Sequence, residues 1–176
     1  MNFCSRQFNL YLSLLAAVAL LCGCQTHRKD KEPVAALRIH IESTGNAEGS
    51  GQTVSVLRND PVLVTIADEP ILTESSIINA DVINVPGGFA VDVQFDETGT
   101  WILEQYSASN PGKHFVIFGQ WGEKLAQGRW LAAPLITHRI AGGLLAFTPD
   151  ASREEADELA LGLNNVAKKT IKGKLK

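Results

Sequence analysis

Phe89-Ala90-Val91-Asp92-Val93-Gln94-Phe95, running into Asp96-Glu97-Thr98-Gly99, is the stretch that decides the fold class. Phe89, Val91, Val93 and Phe95 alternate with small or polar residues, and a period of two marks a strand with one buried face. Asp96-Glu97-Thr98-Gly99 then opens a helix carrying Trp101, Ile102, Gln105 and Tyr106, with Trp101 expected in the core. Asn110-Pro111-Gly112 closes it, since proline and glycine punctuate helices. A strand followed directly by a capped helix sets the alternating grammar of this chain.

Upstream, Leu37, Ile39 and Ile41 alternate with Arg38, His40 and Glu42, which predicts a half-buried strand with His40 on its polar face. Val54–Leu57 and Val62–Ile66 predict a hairpin around Asn59-Asp60-Pro61. Thr73 stands as an N-cap for a short helix with Ile77, Ile78 and Ala80 on its apolar side. Downstream, His114–Gly119 reads as a near-continuous apolar strand, and Leu144–Phe147 as a short strand after Gly142-Gly143. Ser152 and Glu155 have capping-box spacing before Ala156, Leu159, Ala160, Leu163 and Val166, which predicts the last helix. The order implies an α+β fold, a mixed or antiparallel sheet with two or three helices packed on it.

The chain has 176 residues, 45% hydrophobic and 20% charged, with a formal net charge of −3. This is one domain with short extras, too apolar for a disordered chain and without the basic balance of a nucleic-acid binder. Its three cysteines, Cys4, Cys22 and Cys24, all lie near the N-terminus, so the body holds no disulfide and no cysteine metal site.

That N-terminal end reads as a secretory signal. Arg6 precedes an apolar run from Leu10 to Cys22, about 13 residues against the roughly 20 a membrane span requires. It ends in Leu21-Cys22-Gly23-Cys24, which resembles the bacterial lipoprotein box: small residues before an obligatory cysteine whose thiol accepts diacylglycerol. Cys24 is therefore the expected lipidation site, with the membrane as a partner. By the same resemblance, Gln25 rather than aspartate after the cysteine favours the outer membrane of a bacterial envelope, facing the periplasm. Gln25–Glu32 is polar and serves as a tether.

From about Ile71 to Ala167, the order of motifs resembles the head of the first periplasmic domain of SecD, an accessory subunit of the bacterial Sec translocon. The pieces are Leu72-Thr73 with Ala80, Ala90-Val91-Asp92-Val93-Gln94-Phe95-Asp96 with Gly99, and Asn110-Pro111-Gly112-Lys113 before Phe115-Val116-Ile117. Ala133-Pro134-Leu135-Ile136, Ile140-Ala141-Gly142-Gly143 and Phe147-Thr148 with Glu154-Glu155-Ala156 follow in order. SecD carries six membrane-spanning helices and a base subdomain that this sequence lacks, so the resemblance implies a binding or scaffold module separated from its motor. The expected division is a signal over 1–23, a tether over 24–34, an N-terminal strand region over 35–70, the SecD-head-like domain over 71–167 and a basic tail over 168–176.

Catalytic signatures are weak. His27, His40, His114 and His138 lack zinc-ligand spacing, and there is no Gly-x-Ser-x-Gly elbow, so no metal, cofactor or catalytic residue is assigned. Asn110-Pro111-Gly112-Lys113 lacks the rest of a phosphate loop and reads as a helix-to-strand turn. Trp121 and Trp130, with Arg129 between them, lie in a Gly-rich segment where a loop would expose them as a partner-binding surface; the alternative is that both fold back over the sheet. The expected role is a lipid-anchored, non-catalytic module that binds polypeptide or a partner protein in export. The rivals are an envelope hydrolase and a structural lipoprotein whose lysine tail touches the cell wall.

Overall fold

A computed structural model describes residues 32–43 and 51–174; the signal, Cys24 and most of the tether lie outside the described residues. The elements are β1 (Ala36–Ile41), β2 (Gly51–Val56), β3 (Val62–Ala67), β4 (Leu72–Thr73), β5 (Ile77–Val85), β6 (Gly88–Phe95), α1 (Glu97–Ser109), β7 (Phe115–Trp121), β8 (Gln127–Ala132), β9 (Leu144–Phe147) and α2 (Arg153–Lys174), with 3-10 turns at Glu74–Ser76 and Glu123–Leu125. Among the described residues all strand pairings are antiparallel. They form a central sheet ordered β4-β1-β7-β8, the hairpin β2-β3, and an outer sheet ordered β5-β6-β9. The α+β expectation holds.

The main core gathers Leu37, Ile39 and Ile41 of β1, Val91, Val93 and Phe95 of β6, Phe115 and Ile117 of β7, Leu103 of α1, and Ala156, Leu159 and Leu163 of α2. A second core lies on the other face of the central sheet, where Val54, Val56, Val64 and Ile66 of the hairpin cover Val116. Two covered faces explain why Phe115–Phe118 is apolar without alternation. The same hairpin corrects the expectation for His40. It is buried, its Nδ1 lies 2.8 Å from the Ala67 carbonyl oxygen, and its ring packs against Trp130.

The predicted helix after Thr73 is instead a 3-10 turn leading into β5. The cause is a bulge: the β5–β6 register shifts between Ile77 and Asn79, so the buried residues fall at Ile77 and Ala80. A strand with one extra residue thus mimics helical spacing. α1 forms as predicted, with the Asp96 side chain accepting from Gly99 N–H at 2.9 Å. Its buried face, however, is Gly99, Leu103 and Ser107, and Trp101 is 62% exposed rather than in the core.

α2 begins with the predicted capping box. Glu155 N–H donates to Ser152 Oγ at 3.2 Å, and Ser152 N–H donates to a Glu155 carboxylate oxygen at 2.8 Å. The helix continues through Lys174, so the expected basic tail supplies its last turns from Lys168 to Lys174. Residue 71 marks no structural boundary, because β1 is an inner strand of the central sheet between β4 and β7. The compact unit that holds the sheets also begins earlier than expected, with Pro33 held by Asn165.

Candidate functional site

The three residues expected to face a partner do not form one surface. Gly119–Trp121 and Gln127–Trp130 pair as the β7–β8 hairpin, with Gly119 opposite Arg129 and Phe118 opposite Trp130. Side chains alternate across a strand, so Trp121 and Arg129 point to the α2 face and Trp130 to the hairpin face. Trp121 is 1% exposed, as the alternative of folding back over the sheet expects. The Arg129 guanidinium sits 4.9 Å over the Trp121 ring and pairs with Glu155, closing β8 onto the start of α2. Trp130 packs on Phe118 and His40.

A groove of about 300 Å³ lies elsewhere, between the continuation of the central sheet and β9. Past β8 the chain pairs again: Phe115 N–H donates to the Pro134 carbonyl, and Ile136 N–H to that of Lys113. Pro134–Ile136 thereby forms one wall. Its lip is fixed on α1, where Ile140 N–H donates to Ser107 Oγ at 2.9 Å and Arg139 pairs with Glu104. The opposite wall is β9. Phe115, Ile136 and Leu145 are buried in the floor, while Leu135 and Leu144 stand 52% and 47% exposed at the rim. Thr137 and His138 form a polar end, with Thr137 Oγ1 2.9 Å from His138 Nδ1.

β9 is the outer strand of its sheet, and the hydrogen-bond register shows which groups it leaves free. Phe95 N–H donates to the Gly143 carbonyl at 2.9 Å, so Gly143 faces β6. By alternation, Leu145 and Phe147 also face β6, opposite Val93 and Val91. The N–H and C=O groups of Leu144 and Ala146 therefore point outward, along the groove. Gly143 makes the approach possible: its φ is +66°, and a Cβ there would meet Thr100 Oγ1 at 2.0 Å.

The other edge of this sheet is closed. Asn164 of α2 accepts from Ala80 N–H at 2.8 Å and donates to the Ala80 carbonyl at 2.7 Å, and Arg153 donates to Asn84 Oδ1. An amide that takes both groups of one residue occupies the place of a neighbouring strand.

Two acidic features lie outside the groove lining. Asp81 and Asp92 are directly opposite on β5 and β6, and burial, with a smaller push from Asp81, holds the Asp92 carboxyl above its ordinary range. Asp92 Oδ1 is buried without a hydrogen-bond partner. Burial also pushes the Glu155 carboxyl up, but Ser152 N–H and the Arg129 guanidinium outweigh it and leave Glu155 below its usual value. His114 Nδ1 lies 2.7 Å from a Glu42 carboxylate oxygen, and no group of three metal-ligating side chains occurs among the described residues.

Residues 51–167 match the family model for the SecDF P1 head subdomain. The chain belongs to this family. Among solved structures, one reported as a membrane component SecDF that enhances protein export is 22% identical, with a TM-score of 0.53 over 76% of this chain and 63% of that one. SecDF in a super-membrane-facing form gives the same identity and TM-score, with 19% of that chain covered. At this identity the likeness is one of fold, and this chain spans less than two thirds of the SecDF chains it matches. No curated protein matches it. The resemblance placed on residues 71–167 thus holds and extends upstream to include the β2-β3 hairpin.

No sequence signal marked the groove. Leu144–Phe147 is legible as a short strand, but which strand ends a sheet, and that Pro134–Ile136 pairs beside Lys113–Phe115, is decided by contacts between residues far apart in sequence.

Proposed function

We propose that this protein is a non-catalytic, export-linked module that holds extended polypeptide in the groove beside β9. The observation that carries the reading is the outward-facing backbone of Leu144 and Ala146 next to the exposed side chains of Leu135 and Leu144. A chain laid along β9 would gain main-chain hydrogen bonds, while its alternate side chains would meet the apolar wall; this is recognition by strand addition. Backbone bonding is indifferent to sequence, which suits a site that must accept many clients. Membership of the SecDF head family supports the link to export.

The same reading places the protein at a bacterial envelope membrane, facing the periplasm, through lipid on Cys24. One acyl chain binds marginally and two bind stably, so a diacylglycerol-bearing Cys24 is a sufficient anchor. Cys24→Ser is expected to move the protein from the membrane to the soluble fraction; continued membrane retention refutes the anchor.

The groove is tested with a photo-crosslinking amino acid placed at Leu144 or Leu135 in cells, with Leu63 and Leu161 as exposed controls away from the groove. Capture of many exported polypeptides from the two groove positions and from neither control is the expected result. Equal capture from all four positions, or none from the groove, overturns the reading.

A further inference from the structure

The last turns of α2 place Lys168, Lys169 and Lys172 on one outward arc. At 100° per residue these three span about 100° of the helix surface. Leu163 and Ala167, both buried, point the other way. Ile171, 45% exposed, flanks the arc. The helix carries its acids, Glu154, Glu155, Asp157 and Glu158, at the opposite end, about 15 Å or more away. Lys168–Lys176 holds five lysines and no acid.

The first described residues run along α2 toward this same end. A Cβ on Gly162 would lie 2.7 Å from that of Ala35; Asn165 Nδ2 donates to the Pro33 carbonyl at 3.0 Å; and Lys169 Nζ lies 3.4 Å from a Glu32 carboxylate oxygen. The chain is therefore pinned with its upstream end beside the lysines. Cys24 precedes Glu32 by eight residues, a reach of at most about 28 Å when fully extended.

We infer that the basic end of α2 is a docking surface for anionic phospholipid headgroups of the membrane that holds Cys24. The inference rests on reading Cys24 as a membrane anchor. The tether confines the lysines to within a short distance of the bilayer, so even weak contacts are populated. Each lysine near an anionic surface strengthens adhesion about fivefold. Contact by this end alone turns the acidic start of α2 away from the membrane and sets the orientation of the head. If the lysines serve only to complement the helix dipole, their environment will not depend on lipid charge.

The test is lysine acylation footprinting of the full chain purified from membranes and reconstituted in vesicles. One set is phosphatidylcholine alone and the other contains about one third phosphatidylglycerol. Labelling of Lys168, Lys169 and Lys172 is expected to fall at least threefold in the anionic vesicles and to recover in 0.5 M salt, since surface electrostatics are screened. Lys124, exposed on the β7–β8 turn, is expected to label equally in both. Equal labelling of the three lysines in both vesicle types overturns the inference. So does protection that requires purified cell-wall polymer rather than anionic lipid. Intact mass of the same sample reads the anchor separately: an unmodified Cys24 refutes lipidation, whatever the footprint shows.

Discussion

The alternation of hydrogen bonds along β9 makes neighbouring proline substitutions behave oppositely. Leu145 faces β6, so Leu145→Pro removes its N–H from the ladder and strands the carbonyl of Val93, whose residue is fully buried. An unsatisfied buried acceptor costs about 1–3 kcal/mol, and losing a buried leucine side chain adds about 2 kcal/mol. A total of about 3–5 kcal/mol is a large part of the stability of a domain this size. Ala146 faces outward, and proline is tolerated on an edge strand where its missing N–H would have faced solvent. Ala146→Pro is therefore expected to change stability by no more than about 1 kcal/mol. It does remove one of the four outward groups on Leu144 and Ala146 that an added strand would use. At a net 0.5–1.5 kcal/mol per hydrogen bond, affinity for an extended apolar peptide falls between about twofold and tenfold. Urea unfolding reads the first quantity, and fluorescence anisotropy with a labelled peptide the second. Equal destabilisation by the two substitutions refutes the register argument. A folded Ala146→Pro variant that binds peptide as tightly as the parent refutes strand addition while leaving the fold untouched.

Three further predictions follow from side chains that fix the scaffold. Glu155 has a lowered folded-state pKa, so its contribution is present above the unfolded value of about 4.3 and is lost as pH falls through the folded value. Arg129→Ala is expected to cost about 2 kcal/mol at pH 7, from a charge-assisted hydrogen bond and a cation–π contact, with a smaller cost at pH 3; a cost independent of pH contradicts the pairing with Glu155. Asp92 behaves in the opposite sense: its raised carboxyl is tolerated at low pH and loses stability as pH rises above the unfolded value of about 3.9. Asp92→Asn is thus expected to raise the melting temperature at pH 7 and leave it unchanged at pH 3; a loss of stability at pH 7 would show that the carboxylate is paired. Asn164→Ala strips both bonds from Ala80 and is expected to cost about 1–3 kcal/mol by thermal unfolding. Leaving stability unchanged would show that water replaces the amide at that edge.

Local signals in the sequence were reliable where the chain decides its own conformation. The Asp96 cap, the Ser152–Glu155 capping box, the hairpin around Asn59-Asp60-Pro61 and the alternation of β6 all depend on residues within one turn or one pair of strands. What failed depended on distant contacts. His40 occupies a polar position by alternation, yet the β2-β3 hairpin covers it. Trp101 has the composition of a core residue, but α1 sits on Gly99, Leu103 and Ser107, two of them small, because the helix lies close against its support. Trp121 and Trp130, nine positions apart, read either as one exposed loop surface or as folded back over the sheet; the hairpin register decides for the sheet and puts them on opposite faces. The groove was invisible for the same reason, since its two walls come from different sheets.

The two edges of the β5-β6-β9 sheet are treated differently, and that asymmetry bears on function. An unprotected strand edge invites aggregation, so folded proteins block edges with charges, bulges or covering elements. Here β5 has all three kinds of protection: a bulge after Ile77, Asp81 on its face, and the Asn164 amide bound to Ala80. β9 has none of these at Leu144 and Ala146, and the wall opposite it is apolar and exposed at Leu135. The loop that forms the lip is meanwhile fastened to α1 by Ser107 and Glu104, so the gap is held open by specific bonds. On the proposed reading, a fold that stoppers one edge with a helix side chain and props the other open keeps the second edge free for an incoming strand. If β9 were only an accident of topology, closing it should be harmless. A disulfide or bulky side chain that fills the groove would then leave polypeptide capture intact, whereas strand addition requires capture to disappear while the domain stays folded.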